Sequence, residues 1–213
     1  MAAINIDFPW SRGRTYKVIE PTLQSSDFAA RIDEPHIQQT GRTEPLERPL
    51  LHNPHLYLDF AQLDGSSESC RRFAEKWGLL RTHAEVGAHE PLSYWCDQIR
   101  TMHESVEGLR RAIEEQLLPP LGAFITDEIE LFVVLDKLDG RPALSFKPRS
   151  LVKAMRIQLA QSIASGKSIE VCQNCNRWFE VGGRGPGTKR AKTKFCSDKC
   201  RNDFHYDQRR VKK

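Results

Sequence analysis

Four cysteines near the end of this 213-residue chain constrain its fold more than any other feature. They read Cys172-Gln-Asn-Cys175, then 20 residues, then Cys196-Ser-Asp-Lys-Cys200. A two-residue gap lets a tight turn aim two thiolates at one point. A three-residue gap sets positions i and i+4 on one helical face. Two such pairs at this separation suit one tetrahedral Zn²⁺, with Zn–S bonds of about 2.3 Å. The expected ligands are therefore Cys172, Cys175, Cys196 and Cys200, around a single structural zinc ion. His205 lies five residues past Cys200 and reads as a surface residue.

The flanking residues give this tail a shape. Ile169-Glu170-Val171 leads in as a strand, and Trp178-Phe179-Glu180-Val181 leads out as its hairpin partner. Gly182 to Gly187 reads as a loop. Ser197 can cap a helix that starts inside the second cysteine pair, with Asp198 in its first turn. Hairpin, knuckle, loop and helix predict a treble-clef-like zinc module over 167–213.

The same tail is basic. Residues 167–213 carry 13 Lys and Arg against 5 Asp and Glu, a net +8, while the remaining residues carry a net −4. Positive charge of this density favours polyanions, nucleic acid first. On the last helix each residue advances about 100°. With Cys200 at zero, Phe204 and Val211 fall within about 40° of it and face the metal. Arg201, His205, Gln208, Arg209 and Lys212 fall between about 80° and 180°, a mostly basic stripe. The loop adds Arg184, Lys189, Arg190, Lys192 and Lys194. These residues are the candidate phosphate contacts.

Upstream, residues 1–166 read as one α+β domain, mainly helical, with a β-hairpin. Residues 1–55 are partly irregular. Seven prolines punctuate residues 1–91. Tyr16 to Ile19 reads as a short strand, and Glu34 to Pro54 as loop. Leu56 to Phe60 opens the first clear element. Ser66 and Ser67 can cap a helix to Trp77, ended by Gly78, with Cys70 on its buried face. The strongest helix runs over 91–118. Leu92, Trp95, Ile99, Met102, Val106, Leu109, Ile113 and Leu117 form its stripe, a core face that also permits a homodimer seam. Glu130 to Leu138 and Pro142 to Phe146 read as a hairpin turning at Asp139-Gly140. Ser150 opens a further helix with Leu151, Met155, Leu159 and Ile163 inward, ended by Gly166.

Two motifs mislead. Gly182 to Lys189 looks like a phosphate-binding loop, but it ends Thr-Lys and opens no helix. His52-Asn-Pro-His55 looks like a metal pair, but proline interrupts it and it reads as loop. The longest apolar run, Leu131 to Leu135, is far too short to cross a membrane. The first residues carry Asp7, Pro9 and Arg12 and no apolar stretch, so a cytoplasmic location is expected, where thiols stay reduced.

Cys172-Gln-Asn-Cys175-Asn-Arg-Trp178-Phe179 with Phe195-Cys196-Ser-Asp-Lys-Cys200-Arg-Asn resembles the CGNR-type zinc finger that closes bacterial ABATE-domain proteins. Leu56-Tyr-Leu-Asp-Phe60 and Phe73-Ala-Glu-Lys-Trp77-Gly78-Leu79 resemble the opening of the domain before that finger. The name-giving Cys-Gly-Asn-Arg reads Cys200-Arg201-Asn202-Asp203 here, so only the zinc ligands carry over position by position. The resemblance implies a zinc-finger DNA-binding transcription regulator. The other reading is a protein-interaction adapter whose zinc is purely structural. An enzyme is not expected. Asn176 to Phe195 holds no His and only one acid, Glu180, and four thiolates leave no open metal position.

Overall fold

The computed structural model describes residues 5–6, 10–21, 33–46, 50, 53–81, 85–114, 129–135, 142–183 and 189–211. For 5–6, 113–114, 129–135, 142–147 and 211 it describes the backbone alone. Within these residues the fold mixes helices with small, mostly antiparallel sheets.

The N-terminal third is more regular than its sequence suggests. β2 (Trp10–Gly13) pairs antiparallel with β5 (Thr43–Leu46), and β3 (Tyr16–Ile19) pairs with β4 (His36–Gln39). β4 pairs in turn with β6 (His89–Pro91). The expected loop over 34–54 is thus corrected, since two strands lie inside it. Polar residues hide them. β4 reads His-Ile-Gln-Gln, yet Ile37 and Gln39 alternate into the core, fully buried. The Gln39 amide donates to the Gly41 carbonyl at 3.1 Å and to Thr43 Oγ1 at 3.1 Å. In β5, Pro45 sits opposite Ser11 on a strand whose one partner is β2, where a missing N–H is tolerated.

The helices whose bounds lie among the described residues are α1 (Leu56–Ala61), α2 (Ser67–Trp77), α3 (Leu92–Glu114), α4 (Leu151–Ala164) and α5 (Asp198–Val211). The caps behave as their residues predict. Ser66 accepts from Ser69 N at 3.2 Å, and Ser150 accepts from Lys153 N at 3.3 Å. Gly78 ends α2 at φ 93°, where a Cβ would meet Trp10 Nε1 at 2.8 Å and Ser11 O at 2.9 Å. Cys70 is buried, which pushes its thiol up to about 12.

Trp95, Ile99, Met102, Val106 and Leu109 of α3 are all buried in the chain's own core, beside Phe60, Phe73, Leu151, Met155 and Leu159. Within the described part of the stripe, Trp95 to Leu109 are covered by this chain. Pro91 closes β6 and directly precedes α3. Residues 115–118 of the expected helix lie outside the described residues, as does the Asp139-Gly140 turn. The hairpin itself is present. β7 (Ile129–Leu135) runs antiparallel to β8 (Pro142–Pro148), and β1 (Asn5–Ile6) pairs parallel with β8. The final pair, β9 (Lys167–Val171) and β10 (Trp178–Gly182), is antiparallel with Ile169 opposite Glu180. Among the described residues no helix is long and apolar enough to cross a membrane.

Candidate metal centre

The turn between β9 and β10 carries the first cysteine pair. Asn176 sits in the left-handed region at φ 57°, a conformation Asn tolerates better than most residues. Its N–H closes the turn onto the Cys172 carbonyl at 2.9 Å. Cys172 is buried and Cys175 exposed. The second pair arrives with α5. Ser197 Oγ accepts from Cys200 N at 3.1 Å, the expected cap, and this fixes Cys196 just outside the helix and Cys200 in its first turn.

The two pairs converge. All four Sγ atoms lie within 4.8 Å of one another. Cys175 Sγ is 3.6 Å from Cys196 Sγ, and Cys196 Sγ is 3.5 Å from Cys200 Sγ. A tetrahedron with metal–sulfur bonds of about 2.3 Å needs edges of about 3.8 Å, so these residues fit one ion. The soft donor set and the spacing are those of a metal site with a closed shell. His205 is not among the converging groups. It is exposed, with its ring against Phe195 and Phe204.

The site's electrostatics show why a cation belongs there. Burial raises the Cys172 thiol, but N–H groups of Cys175, Cys196 and Asn174 outweigh it and bring it down to about 6. Burial and the neighbouring sulfurs push Cys196 up to about 12. Burial also raises Cys175, whereas the Ser197 hydroxyl lowers Cys200. Four thiolates this close cannot all ionise unaided, and a divalent ion removes that conflict.

A small apolar cluster covers the site: Phe179 and Val181 from β10, Phe195, and the sulfurs themselves. Phe195 also packs on Phe204 of α5, with ring centroids 5.2 Å apart. Gln173 N donates to the Lys194 carbonyl at 3.1 Å and pins the loop to the knuckle.

The opposite face of the hairpin does something the sequence reading missed. Trp178 and Glu180 alternate away from Phe179 and Val181, toward the upstream domain. The Trp178 ring packs tilted on His103 of α3 with centroids 4.5 Å apart, and the Trp178 backbone N–H donates to Gln62 Oε1 at 2.6 Å. Ile169 belongs to the main core. Glu180 is 8% exposed and accepts from Tyr57 OH at 2.7 Å and from Lys167 Nζ at 2.5 Å. His55 Nδ1 lies 3.1 Å from Oε2, the oxygen that also accepts from Lys167, and Tyr57 OH, on Oε1, also meets Ser162 Oγ at 3.2 Å. Burial alone would raise Glu180, but His55, Lys167 and Tyr57 hold it down at about 2. The run Trp-Phe-Glu-Val, apolar on both parities but for one acid, was the available signal of a strand covered on both faces. His55 precedes α1 in a turn, and His52 lies outside the described residues.

Of the candidate phosphate contacts, Arg190, Lys192, Lys194, Arg201, His205 and Arg209 are exposed. Arg201 pairs with Asp198 at 3.1 Å. Lys189 is half-buried and turned inward. Its ammonium donates to the Cys196 carbonyl and lies 5.3 Å from the Phe179 ring centre. Lys189 and Arg201 border one cavity of about 510 Å³ beside Phe195 and Ser197. Arg184 and Lys212 lie outside the described residues. Residues after Lys189 form a turn and no helix, as expected of a false phosphate loop.

No protein-family model matches this chain, and no curated protein or solved structure matches it.

Proposed function

We propose that this chain is a zinc-finger DNA-binding transcription regulator, in which one structural Zn²⁺ on Cys172, Cys175, Cys196 and Cys200 holds a treble-clef-like module. The supporting observation is the state of α5. Every described side chain on it from Lys199 to Arg210 is exposed except Cys200 and Phe204, and Arg201, His205 and Arg209 share one side. A basic helix held at its root and bare elsewhere suits a polyanion. The tail's resemblance to the CGNR-type finger points the same way, as does the +8 charge of 167–213. Zinc would serve folding alone, because four thiolates leave no position for a reactive water. None of the six cysteines is in a disulfide, which suits a reducing compartment.

The test uses the full chain, because β9 and β10 share the core of the upstream domain. Metal analysis should give one zinc per chain. Binding to a DNA duplex should weaken with salt, with a log–log slope of about −0.9 per phosphate contacted. No retention at low salt would sink the reading. Arg201→Glu with Arg209→Glu should abolish retention. If function survives that charge reversal, the adapter reading replaces this one.

A further inference from the structure

We propose that α5 reads bases in the major groove of duplex DNA, with Asn202 selecting adenine and Arg209 selecting guanine. This rests on the DNA-binding reading above and goes beyond it, because phosphate contacts carry no sequence preference.

The argument starts from which residues face outward. Cys200 and Phe204 hold α5 to the module. Opposite them, at about 180° to 240° from Cys200, lie Arg209, Asn202 and Tyr206, while His205, at about 140°, turns its ring back onto Phe195 and Phe204. Arg201 and Arg210 flank this group, at about 100° and 280°. Hydrogen-bonding groups suited to base edges therefore occupy the centre, with guanidiniums on both sides. The acids do not interrupt it. Asp203 and Asp207 fall at about 300° and 340°, back toward the module. Asp198 lies at the helix root, paired with Arg201. Tyr206 is 62% exposed, with the Arg210 guanidinium 5.7 Å over its ring. A large ring left open beside a cation is a ready contact for a thymine methyl.

The dimensions agree. An α-helix with side chains is about 10–12 Å across, and the major groove is about 12 Å wide, whereas the minor groove is about 6 Å. Asn pairs bidentately with adenine N6 and N7, and Arg with guanine O6 and N7. Seven residues separate Asn202 from Arg209, about 10 Å along the axis. At about 3.4 Å per step this spans about three base pairs. Tyr206 sits between them. The site read is therefore short, with an adenine and a guanine about three base pairs apart.

The experiment selects duplexes from a randomised library with the zinc-loaded full chain at low salt. An enriched site with that adenine–guanine spacing is expected. Asn202→Ala should then lose about tenfold in preference at the adenine, and Arg209→Ala about tenfold at the guanine. Arg201→Ala should weaken all sequences alike. Salt-dependent retention without enrichment, or preferences untouched by both substitutions, would overturn base reading while the proposed function stands. No retention of any duplex would overturn both.

Discussion

The two arms of the metal module are held in opposite ways. The β9–β10 hairpin is gripped on both faces. Phe179 and Val181 point to the sulfur cluster, while Ile169, Trp178 and Glu180 point into the upstream domain. Among the described residues helix α5 touches the module along one side of its first two turns, through Cys200, Phe204 and the His205 ring. The hairpin is thus fixed by ordinary burial and hydrogen bonds, whereas α5 is joined through the cysteine cluster that could hold a metal. A module can in this way be half scaffold and half presented surface.

Metal removal should separate the arms most strongly. Structural zinc contributes an apparent ~10–16 kcal/mol in isolated finger peptides, and a metal on these four cysteines would stabilise chiefly the loop and α5. A chelator, or Cys200→Ser, should expose residues 189–211 to rapid proteolysis and hydrogen exchange. The α3–α4 core should stay protected. Equal loss of protection in both regions would break the comparison, because it would mean the metal also holds the main core.

The converse change is Glu180→Ala. It strands Lys167 and removes the acceptor of Tyr57 in a buried place, an effect of about 3–5 kcal/mol. The denaturation midpoint should fall sharply while metal stoichiometry is kept. Loss of metal in this variant would show that the anchored arm and the metal arm are one unit.

How much of this the sequence discloses depends on the kind of signal. The four ligands, the Ser197 cap and both hairpin strands are legible, because cysteine spacing and capping act over a few residues. The stripes of α3 and α4 are legible because their period is helical. β4 and β5 are not, since Gln39 and Pro45 disguise strands whose partners lie far away in the chain. The Glu180 cluster is hidden for the same reason. Tyr57 and Glu180 are 123 residues apart, and nothing local in either says that they meet. Lys189 shows a third limit. A lysine in a basic loop reads as a phosphate contact, and nothing local says that its ammonium reaches the Cys196 carbonyl.

Acid offers a gentler probe of the same joint. The Glu180 carboxyl sits at about 2 in the folded chain, against an ordinary 4.5. Its contribution is therefore complete above about pH 4.5 and is lost as pH falls toward 2. The shift corresponds to roughly 3 kcal/mol. Wild-type stability should decline over that window, and Glu180→Gln should flatten the decline. Identical acid profiles would show that other carboxylates govern it.

The smallest effects should come from α5, and a pair of neighbours gives the sharpest contrast. Phe204 is half-buried against Phe195. Its truncation removes the larger of two ring contacts, Phe204 and His205 on Phe195, that steady the helix beyond Cys200. Phe204→Ala should cost about 1–2 kcal/mol of local stability, seen as faster exchange in 201–211. Tyr206 is two residues on and points away from the module. Tyr206→Ala should change stability by less than about 0.5 kcal/mol, as surface substitutions do. If the two variants destabilise equally, α5 is packed on something along its outer face, and its presentation as a free surface fails. If only Phe204 matters, the outer face contributes nothing to folding, and its Asn, Tyr and Arg side chains are free for a partner.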